Sequence, residues 1–218
     1  MKVRIQIVGI HSVEDAMECV KNGVDTIGLA VGQVHHNNYD FIDKNLAREI
    51  VKAVPPYQVV AVITHLTDAD EIIDLVKFIG VSCLQLHSYI DECEVGKIRM
   101  ALPNVKIIRL IHVSDEGVTF YGNMKIADAF FTDSLNKKTN QFGGTGLIHD
   151  FNKDKKIREA LSKPLIIAGG LNSTNVAKII KKVKPYGVDT NSGCKGVNGK
   201  LDYKRLKEFC EAVRSVDF

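Results

Sequence analysis

The stretch Leu165-Ile166-Ile167-Ala168-Gly169-Gly170-Leu171-Asn172 places a short apolar run directly before a pair of glycines. The segment Thr174 to Val183 follows, and its apolar residues recur at helical spacing. A second strand candidate, Gly187 to Thr190, comes next. A strand, a helix and another strand in this order form a βαβ unit, whose strands run parallel. This part of the chain therefore predicts a parallel α/β fold.

The same alternation of strand and helix fills the rest of the chain. Strand candidates are Val3 to Val8, Thr26 to Val31, Val59 to Ile63, Cys83 to Leu86, Val105 to Leu110, Ala129 to Thr132 and, within the unit itself, Leu165 to Ala168. Helix candidates are Val13 to Lys21, Lys44 to Ala53, Ala69 to Phe78, Glu92 to Leu102, Lys153 to Leu161 and Tyr203 to Val213. A further helix, the fifth in order, is expected within Asp115 to Lys125.

Capping residues mark several helix boundaries. Helix starts are predicted at Ser12, Asp68 and Ser173, and helix ends at Gly23 and Gly80. Eight strand–helix units in 218 residues fit a closed (β/α)8 TIM barrel of class α/β, and a doubly wound open sheet is the alternative. No linker or low-complexity segment divides the chain, so residues 1–218 are predicted to form one domain.

Composition excludes several classes of protein. The formal net charge of +3 disfavours nucleic acid as the main partner. No apolar run reaches the roughly 18 residues of a membrane helix, and strand-like alternation at Val3 to Ile7 argues against a signal peptide. The five cysteines form no C-x-x-C pair, which is typical of reduced thiols in a cytoplasmic protein. The lysines of 178–184 alternate with apolar residues and are interpreted as a solvated helix face.

Two turns near the end of the chain have the composition of a phosphate site. Gly169 and Gly170 follow one strand candidate, and Ser192 and Gly193 follow the next. Glycine at a strand-to-helix turn lets backbone N–H groups approach a phosphate, and barrel enzymes bind phosphate after their last two strands. We therefore expect these loops to hold a phosphorylated small molecule. A third cluster, Gly143 to Gly146, is interpreted as a loop that closes over the substrate.

All seven histidines lie at or just beyond the predicted C-terminal ends of strands, and the set comprises His11, His35, His36, His65, His87, His112 and His149. Active sites of barrel enzymes lie at this face. Imidazole serves in acid–base catalysis near neutral pH and also binds metals. Asp133 follows Phe130-Phe131-Thr132 at the same rim and is a further catalytic candidate.

Taken together and in order, these motifs resemble the phosphoribosylanthranilate isomerase family, barrel enzymes of tryptophan biosynthesis. The matching segments are Gly9-Ile10, Gln85-Leu86-His87, Thr132-Asp133-Ser134, Gly143-Gly144-Thr145-Gly146, Ala168-Gly169-Gly170-Leu171-Asn172 and Pro185-Tyr186-Gly187-Val188-Asp189 with Ser192-Gly193. The resemblance implies an Amadori rearrangement of an aminoaldose phosphate to an aminoketose phosphate, without a cofactor.

The resemblance also implies roles for individual residues. Asp133 corresponds to the general acid that opens the ribose ring. The phosphate-binding positions correspond to Gly144, Gly146, Gly169, Gly170, Ser192 and Gly193. Substrate contacts are expected from Gln85, Asp189, His35 and His36.

The family's catalytic base is missing from this sequence. Its cysteine is replaced by Val8, and the lysine two positions earlier by Gln6. The family's arginine segment after the second strand, which faces the anthranilate ring, is replaced by residues 34–39. Because valine accepts no proton, a different base is required, and His11 and His87 are the candidates.

Three alternatives remain open at this point. The substrate is phosphoribosylanthranilate or a related phosphosugar. The protein is otherwise a metal-dependent epimerase or lyase in which His65, His87 and His112, with Asp133, converge on one ion. In the third alternative it binds a phosphorylated metabolite without catalysis. A monomer or a homodimer is expected.

Overall fold

The computed structural model describes residues 2–32, 40–114, 117–120, 125–136, 141–142 and 150–216. Ten strands lie within these residues. They are β1 (Arg4–Val8), β2 (Thr26–Ala30), β3 (Val59–Thr64), β4 (Cys83–Leu86), β5 (Lys106–Ser114), β6 (Gly117–Phe120), β7 (Ala129–Asn136), β8 (Gln141–Phe142), β9 (Leu165–Ile167) and β10 (Gly187–Thr190).

Eight of these strands run parallel and close into a barrel. The order around the barrel is β1, β2, β3, β4, β5, β7, β9 and β10. Closure comes from β10, which pairs with β1 so that Arg4 lies opposite Gly187, and from the pairing of β5 with β7. The predicted TIM barrel is therefore confirmed, and the open-sheet alternative is wrong. Closure leaves no barrel strand with unpaired edge groups.

Seven α-helices lie outside the barrel among the described residues: α1 (Val13–Lys21), α2 (Lys44–Ala53), α3 (Ala69–Ile79), α4 (Glu92–Ala101), α5 (Phe151–Ala160), α6 (Val176–Val183) and α7 (Tyr203–Arg214). A short 3-10 helix, Ser192–Cys194, follows β10.

Two of the three predicted helix starts are confirmed. Ser12 and Asp68 each accept a hydrogen bond of 3.0 Å from the main-chain N–H three residues further on. The prediction for Ser173 is wrong, since α6 begins at Val176 after Asn175, which makes no side-chain cap. The asparagines of this loop instead bond within it: Asn175 Oδ1 accepts from the N–H of Asn172 at 2.9 Å.

The predicted fifth helix is also wrong, because Gly117–Phe120 is a strand. It runs antiparallel to an extension of β5, with Val113 opposite Val118. The β-branched and aromatic residues of Val118-Thr119-Phe120 favour an extended chain over a helix. Strand β5 accordingly continues to Ser114, beyond the predicted end at Leu110.

The core has two layers. The larger one packs the outward-facing side chains of the barrel against the helices, while the interior of the barrel holds a smaller cluster of Ala61, Cys83, Ile108, Leu110, Ala129, Phe131 and Ile166. Because side chains alternate between the two faces of a strand, Gln85 and Asp133 share the inward face with Cys83 and Phe131. The inward face therefore becomes polar toward the C-terminal ends of the strands. None of the described helices is long and apolar enough to cross a membrane.

Candidate active site

The C-terminal mouth of the barrel brings together side chains from four strands. On β5 and β7, His112 lies directly opposite Asp133 in the parallel register. On β1 and β10, Gln6 lies opposite Asp189. All four residues are buried, with at most 6% of their surface exposed. These buried polar groups therefore lie at the end of the apolar barrel interior that faces the C-terminal loops.

Val8, at the position where the resemblance expects the base, faces into this barrel. A Cβ placed on Gly28 of β2 would lie 2.9 Å from Val8 Cγ2 and 2.9 Å from Ile63 Cδ1. Both side chains therefore pack over the bare Cα of Gly28. The valine methyl groups occupy the interior without offering a proton acceptor.

A buried hydrogen-bond chain links β1 to β4. Gln6 Nε2 donates to Gln85 Oε1 at 2.9 Å, and Gln85 Nε2 lies 2.9 Å from His87 Nε2. With the amide as donor, His87 Nε2 is an acceptor and the neutral ring carries its proton on Nδ1. Burial, with smaller contributions from His65 and His112, holds the pKa of His87 well below its usual value. His87 is therefore a neutral imidazole whose Nε2 is already occupied by an internal donor.

The histidines do not converge as a metal site. The rings of His65 and His87 stack with their centroids 5.6 Å apart and their planes 19° from parallel. On its other side His87 stacks on Phe131, with centroids 4.4 Å apart. Stacked rings direct their nitrogen atoms sideways, and no group of three His, Cys, Asp or Glu side chains suited to a metal exists in the described part of the chain. The described residues therefore give no support to the alternative ligand set of His65, His87 and His112.

His11 has a different environment. It lies three residues beyond the end of β1, and its ring is partly exposed. Its Nε2 is buried and has no hydrogen-bond partner among the described residues. His11 Nε2 therefore has no internal hydrogen-bond donor among the described residues, whereas the Nε2 of His87 has one.

Two carboxyl groups, Asp133 and Asp189, interact at the rim. Burial first, and the negative charge of Asp133 second, raise the pKa of Asp189 well above its usual value, against a hydrogen bond from the N–H of Thr190 that lowers it. Asp189 Oδ1 is buried and accepts no hydrogen bond from the described residues. Two nearby carboxyl groups in a dry site resist double ionisation, so burial and the charge of Asp133 favour the protonated form of Asp189.

The turns after β9 and β10 meet in one cleft of ≈ 380 Å³, whose lining includes Gly170, Asn172, Ser192 and Gly193. Thr190 Oγ1 donates to the carbonyl of Leu171 at 2.7 Å and ties the two turns together. A Cβ on Gly193 would lie 2.0 Å from the same carbonyl oxygen, so only glycine permits this approach.

The cleft contains main-chain N–H groups for which the described residues supply no hydrogen-bond acceptor. The N–H groups of Gly170, Ser192 and Gly193 donate to no acceptor within the described ranges. Gly170 has φ of +67°, and Gly169 before it has φ of +90°, conformations that favour glycine. Arg205 and Glu208 line the outer side, so the charges there are mixed and the backbone is the main source of donors. This geometry suits an oxyanion.

Several predicted site residues lie outside the described residues, namely Gly144, Gly146, His35, His36 and His149. Their assignments stay predictions.

Comparison with known proteins identifies the family. The model of the N-(5'-phosphoribosyl)anthranilate isomerase family matches residues 4–212. This chain belongs to that family. Phosphoribosylanthranilate isomerase 2 of Methanosarcina mazei is 42% identical over 217 residues, which cover 98% of this chain and 95% of the relative.

Solved phosphoribosylanthranilate isomerases share the fold. The Thermus thermophilus enzyme superposes with a TM-score of 0.82 at 19% identity, over 98% of this chain and 99% of its own. A second has a TM-score of 0.76 at 22% identity, over 98% of this chain and 100% of its own. That protein was crystallised with reduced 1-(o-carboxyphenylamino)-1-deoxyribulose 5-phosphate.

The sequence analysis did not predict one polar cluster in this barrel. Lys195 forms an ion pair with Asp40, and Asn191 Nδ2 donates to the same carboxylate at 2.8 Å. Asp40 precedes Lys195 by 155 residues in the sequence and precedes Asn191 by 151 residues. The only available signal was the position of Asn191 and Lys195 beside the predicted phosphate turn.

The buried histidine on β5, His112, makes the stability of the protein depend on pH. Burial lowers the pKa of His112 to about 4 from 6.5. The unfolded chain therefore takes up a proton below pH 6.5 that the folded chain resists, so stability is lost as pH falls from 6.5 toward 4. At ~1.4 kcal/mol per pKa unit, the contribution approaches about 3 kcal/mol.

His112→Gln should remove this contribution. Between pH 7 and pH 4.5 we expect urea unfolding of the variant to lose about 2 kcal/mol less stability than the wild type. Equal losses in the two proteins would show that His112 does not resist protonation. His87→Gln is the matched comparison, because His87 is also buried with a lowered pKa.

Proposed function

We propose that this chain isomerises N-(5'-phosphoribosyl)anthranilate to 1-(o-carboxyphenylamino)-1-deoxyribulose 5-phosphate, a step of tryptophan biosynthesis. The observation that carries the proposal is the coexistence, at one end of the barrel, of two features: a cleft whose main-chain N–H groups find no acceptor among the described residues, and a buried pair of carboxyl groups, Asp133 and Asp189, in which burial and charge favour protonation of Asp189. The first suits the 5'-phosphate, and the second suits protonation of the ribose ring oxygen. Family membership supplies the identity of the substrate.

The acid step uses Asp133. Protonation of the ring oxygen breaks its bond to C1, while the lone pair of the anthranilate nitrogen forms the C1=N bond of a Schiff base. Burial and the charge of Asp133 favour the protonated form of Asp189. Asp189 can therefore pass its proton to Asp133, which then gives it to the ring oxygen, and Asp189 can also hydrogen-bond a ribose hydroxyl.

The base step uses His11. Removal of the C2 proton gives an enolamine, which becomes the ketone when C1 takes up a proton. His11 suits this role because its Nε2 is unengaged. His87 suits it less, because its Nε2 accepts from Gln85 and its ring is buried between other rings. We therefore assign the Gln6–Gln85–His87 chain to positioning, with Gln85 able to contact substrate when it turns.

His11→Gln tests the base directly. We expect kcat to fall roughly 10²-fold or more, because general base catalysis contributes about 10²–10⁴-fold. Binding of the reduced product analogue should change little. An unchanged kcat in His11→Gln, or an equal loss of kcat in His87→Gln, would contradict the assignment to His11.

A non-catalytic phosphometabolite-binding protein is the second candidate, and Val8 favours it because that position offers no base. Complementation separates the two. A tryptophan auxotroph lacking its own phosphoribosylanthranilate isomerase should grow without tryptophan when it expresses this chain, and should fail with Asp133→Asn. No growth with the wild-type chain, at confirmed soluble expression, would favour the binding protein. Growth supported by both chains would contradict the role of Asp133.

The proposal includes a cytoplasmic location, which fits five free thiols, four of them buried. It also includes a monomer or a homodimer, which light scattering on the purified chain would distinguish.

A further inference from the structure

The ion pair of Lys195 and Asp40 is a partly enclosed charge cluster. The two side chains are 12% and 21% exposed. Asp40 also accepts from Asn191 Nδ2, so its carboxylate is bridged by two donors. Asn191 Oδ1 is buried and has no hydrogen-bond partner within the described ranges. The cluster thus combines a fixed cation with a buried, unused acceptor.

The cluster lies against the turn that follows Val8. A Cβ on Gly9 would lie 2.8 Å from Lys195 Nζ and 2.7 Å from Asn191 Oδ1. Gly9 has φ of +75°, so its backbone as well as its missing side chain admits the two polar groups. The ammonium and the amide oxygen therefore sit at the mouth of the barrel, next to the strand end where the reacting carbon is expected.

The order of groups around the mouth is informative. The phosphate cleft lies at the turns after β9 and β10, and Val8 ends β1, the next strand around. Asp40 precedes Phe41, which bridges to Ala30 at the end of β2. Lys195 follows β10, but its ammonium lies beside Gly9 and Asp40. Around the mouth, the phosphate cleft is therefore followed by Val8 and then by the ammonium of Lys195. Along the substrate the sequence is phosphate, ribose carbons C2 and C1, amine, and the carboxylate of the ring.

We propose that Lys195 binds the carboxylate of the anthranilate half and that Asn191 Oδ1 accepts the N–H of its amine. This inference rests on the proposed function and assigns the aromatic-acid end of the site, for which the expected arginine segment is absent. An ammonium has three donors and no acceptor, so it can bond Asp40 and a substrate carboxylate together.

The test compares two substrates that differ only in the carboxylate, N-(5'-phosphoribosyl)anthranilate and N-(5'-phosphoribosyl)aniline. For Lys195→Met we expect KM for the first to rise roughly 10- to 100-fold, the size of a lost charged hydrogen bond, with little change for the second. Lys195→Arg should keep most of the difference in KM between the two substrates, because a guanidinium also binds a carboxylate. Lys200→Met, at an exposed lysine of the same loop, should behave as wild type.

Three outcomes would overturn the inference. One is an equal rise in KM for both substrates. Another is a fall in kcat with KM unchanged, which would indicate a base. The third is wild-type discrimination in Lys195→Met. Because this variant leaves Asp40 without its cation, Asp40→Asn/Lys195→Met serves as a second variant, with thermal unfolding to verify folding.

Binding separates this inference from the proposed function. Should the wild type turn over neither substrate, the proposed function fails, while Lys195 is still tested by the affinity for the reduced product analogue and for the same molecule without its carboxylate. Loss of that difference in Lys195→Met supports the inference, and its persistence refutes it.

Discussion

Asp133→Asn is expected to lower kcat for phosphoribosylanthranilate by about 10²- to 10⁴-fold, the usual contribution of a general acid. Asparagine keeps the shape of the side chain but cannot transfer a proton to the ring oxygen. Asp133 is buried on the inward face of β7, opposite His112. KM and the affinity for the reduced product analogue should change much less than kcat.

The same variant has a second measurable consequence. Removing the charge of Asp133 removes one cause of the raised pKa of Asp189, so that pKa should fall, although burial keeps it above the usual value. Glu159→Gln, an exposed carboxylate on α5, is the matched control and should leave kcat unchanged. Wild-type kcat in Asp133→Asn would contradict the assignment of the acid.

Gly193→Ala should have the second large effect. The added Cβ would lie 2.0 Å from the carbonyl oxygen of Leu171, so the two phosphate turns must separate. Each charge-assisted hydrogen bond lost from the phosphate contributes about 1.5–3 kcal/mol, so kcat/KM should fall by roughly 10²-fold or more, mainly through KM. Inorganic phosphate should also compete less well in the variant.

Gly96→Ala is the control for this substitution. Gly96 lies inside α4, and a Cβ there meets nothing within 4 Å. We expect unchanged kinetics and a gain of about 0.5–1 kcal/mol in unfolding free energy, since alanine favours the helix. Unimpaired phosphate affinity in Gly193→Ala would show that the two turns do not form the phosphate site.

The fold was predictable from sequence because local patterns and barrel geometry agree. The strand candidates Cys83 to Leu86 and Gly187 to Thr190 match β4 and β10 residue for residue. The regular alternation of strand and helix did not predict that Gly117–Phe120 is a strand, because pairing with the extended β5 decides the conformation of this segment. The start of α6 was also misjudged, since the asparagines around Ser173 bond across the loop in place of a serine cap.

The candidate site was predictable where it lies at strand ends. Asp133, Asp189 and His87 could be predicted as site residues because each lies at or near the C-terminal end of a predicted strand. The contacts among the site residues were not predictable. The stacking of His65 on His87, for example, depends on side-chain orientation. The ion pair of Asp40 with Lys195 joins loops after β2 and β10, and only closure of the barrel brings these loops together.

The most direct measurement of the central claim is the rate at which the purified chain consumes phosphoribosylanthranilate, followed by the loss of anthranilate fluorescence. We expect a rate above the uncatalysed reaction, with 1-(o-carboxyphenylamino)-1-deoxyribulose 5-phosphate as the product and a marked decrease for Asp133→Asn. Fluorescence decay at the uncatalysed rate, in a folded preparation that still binds the reduced product analogue, would contradict the proposed isomerase activity.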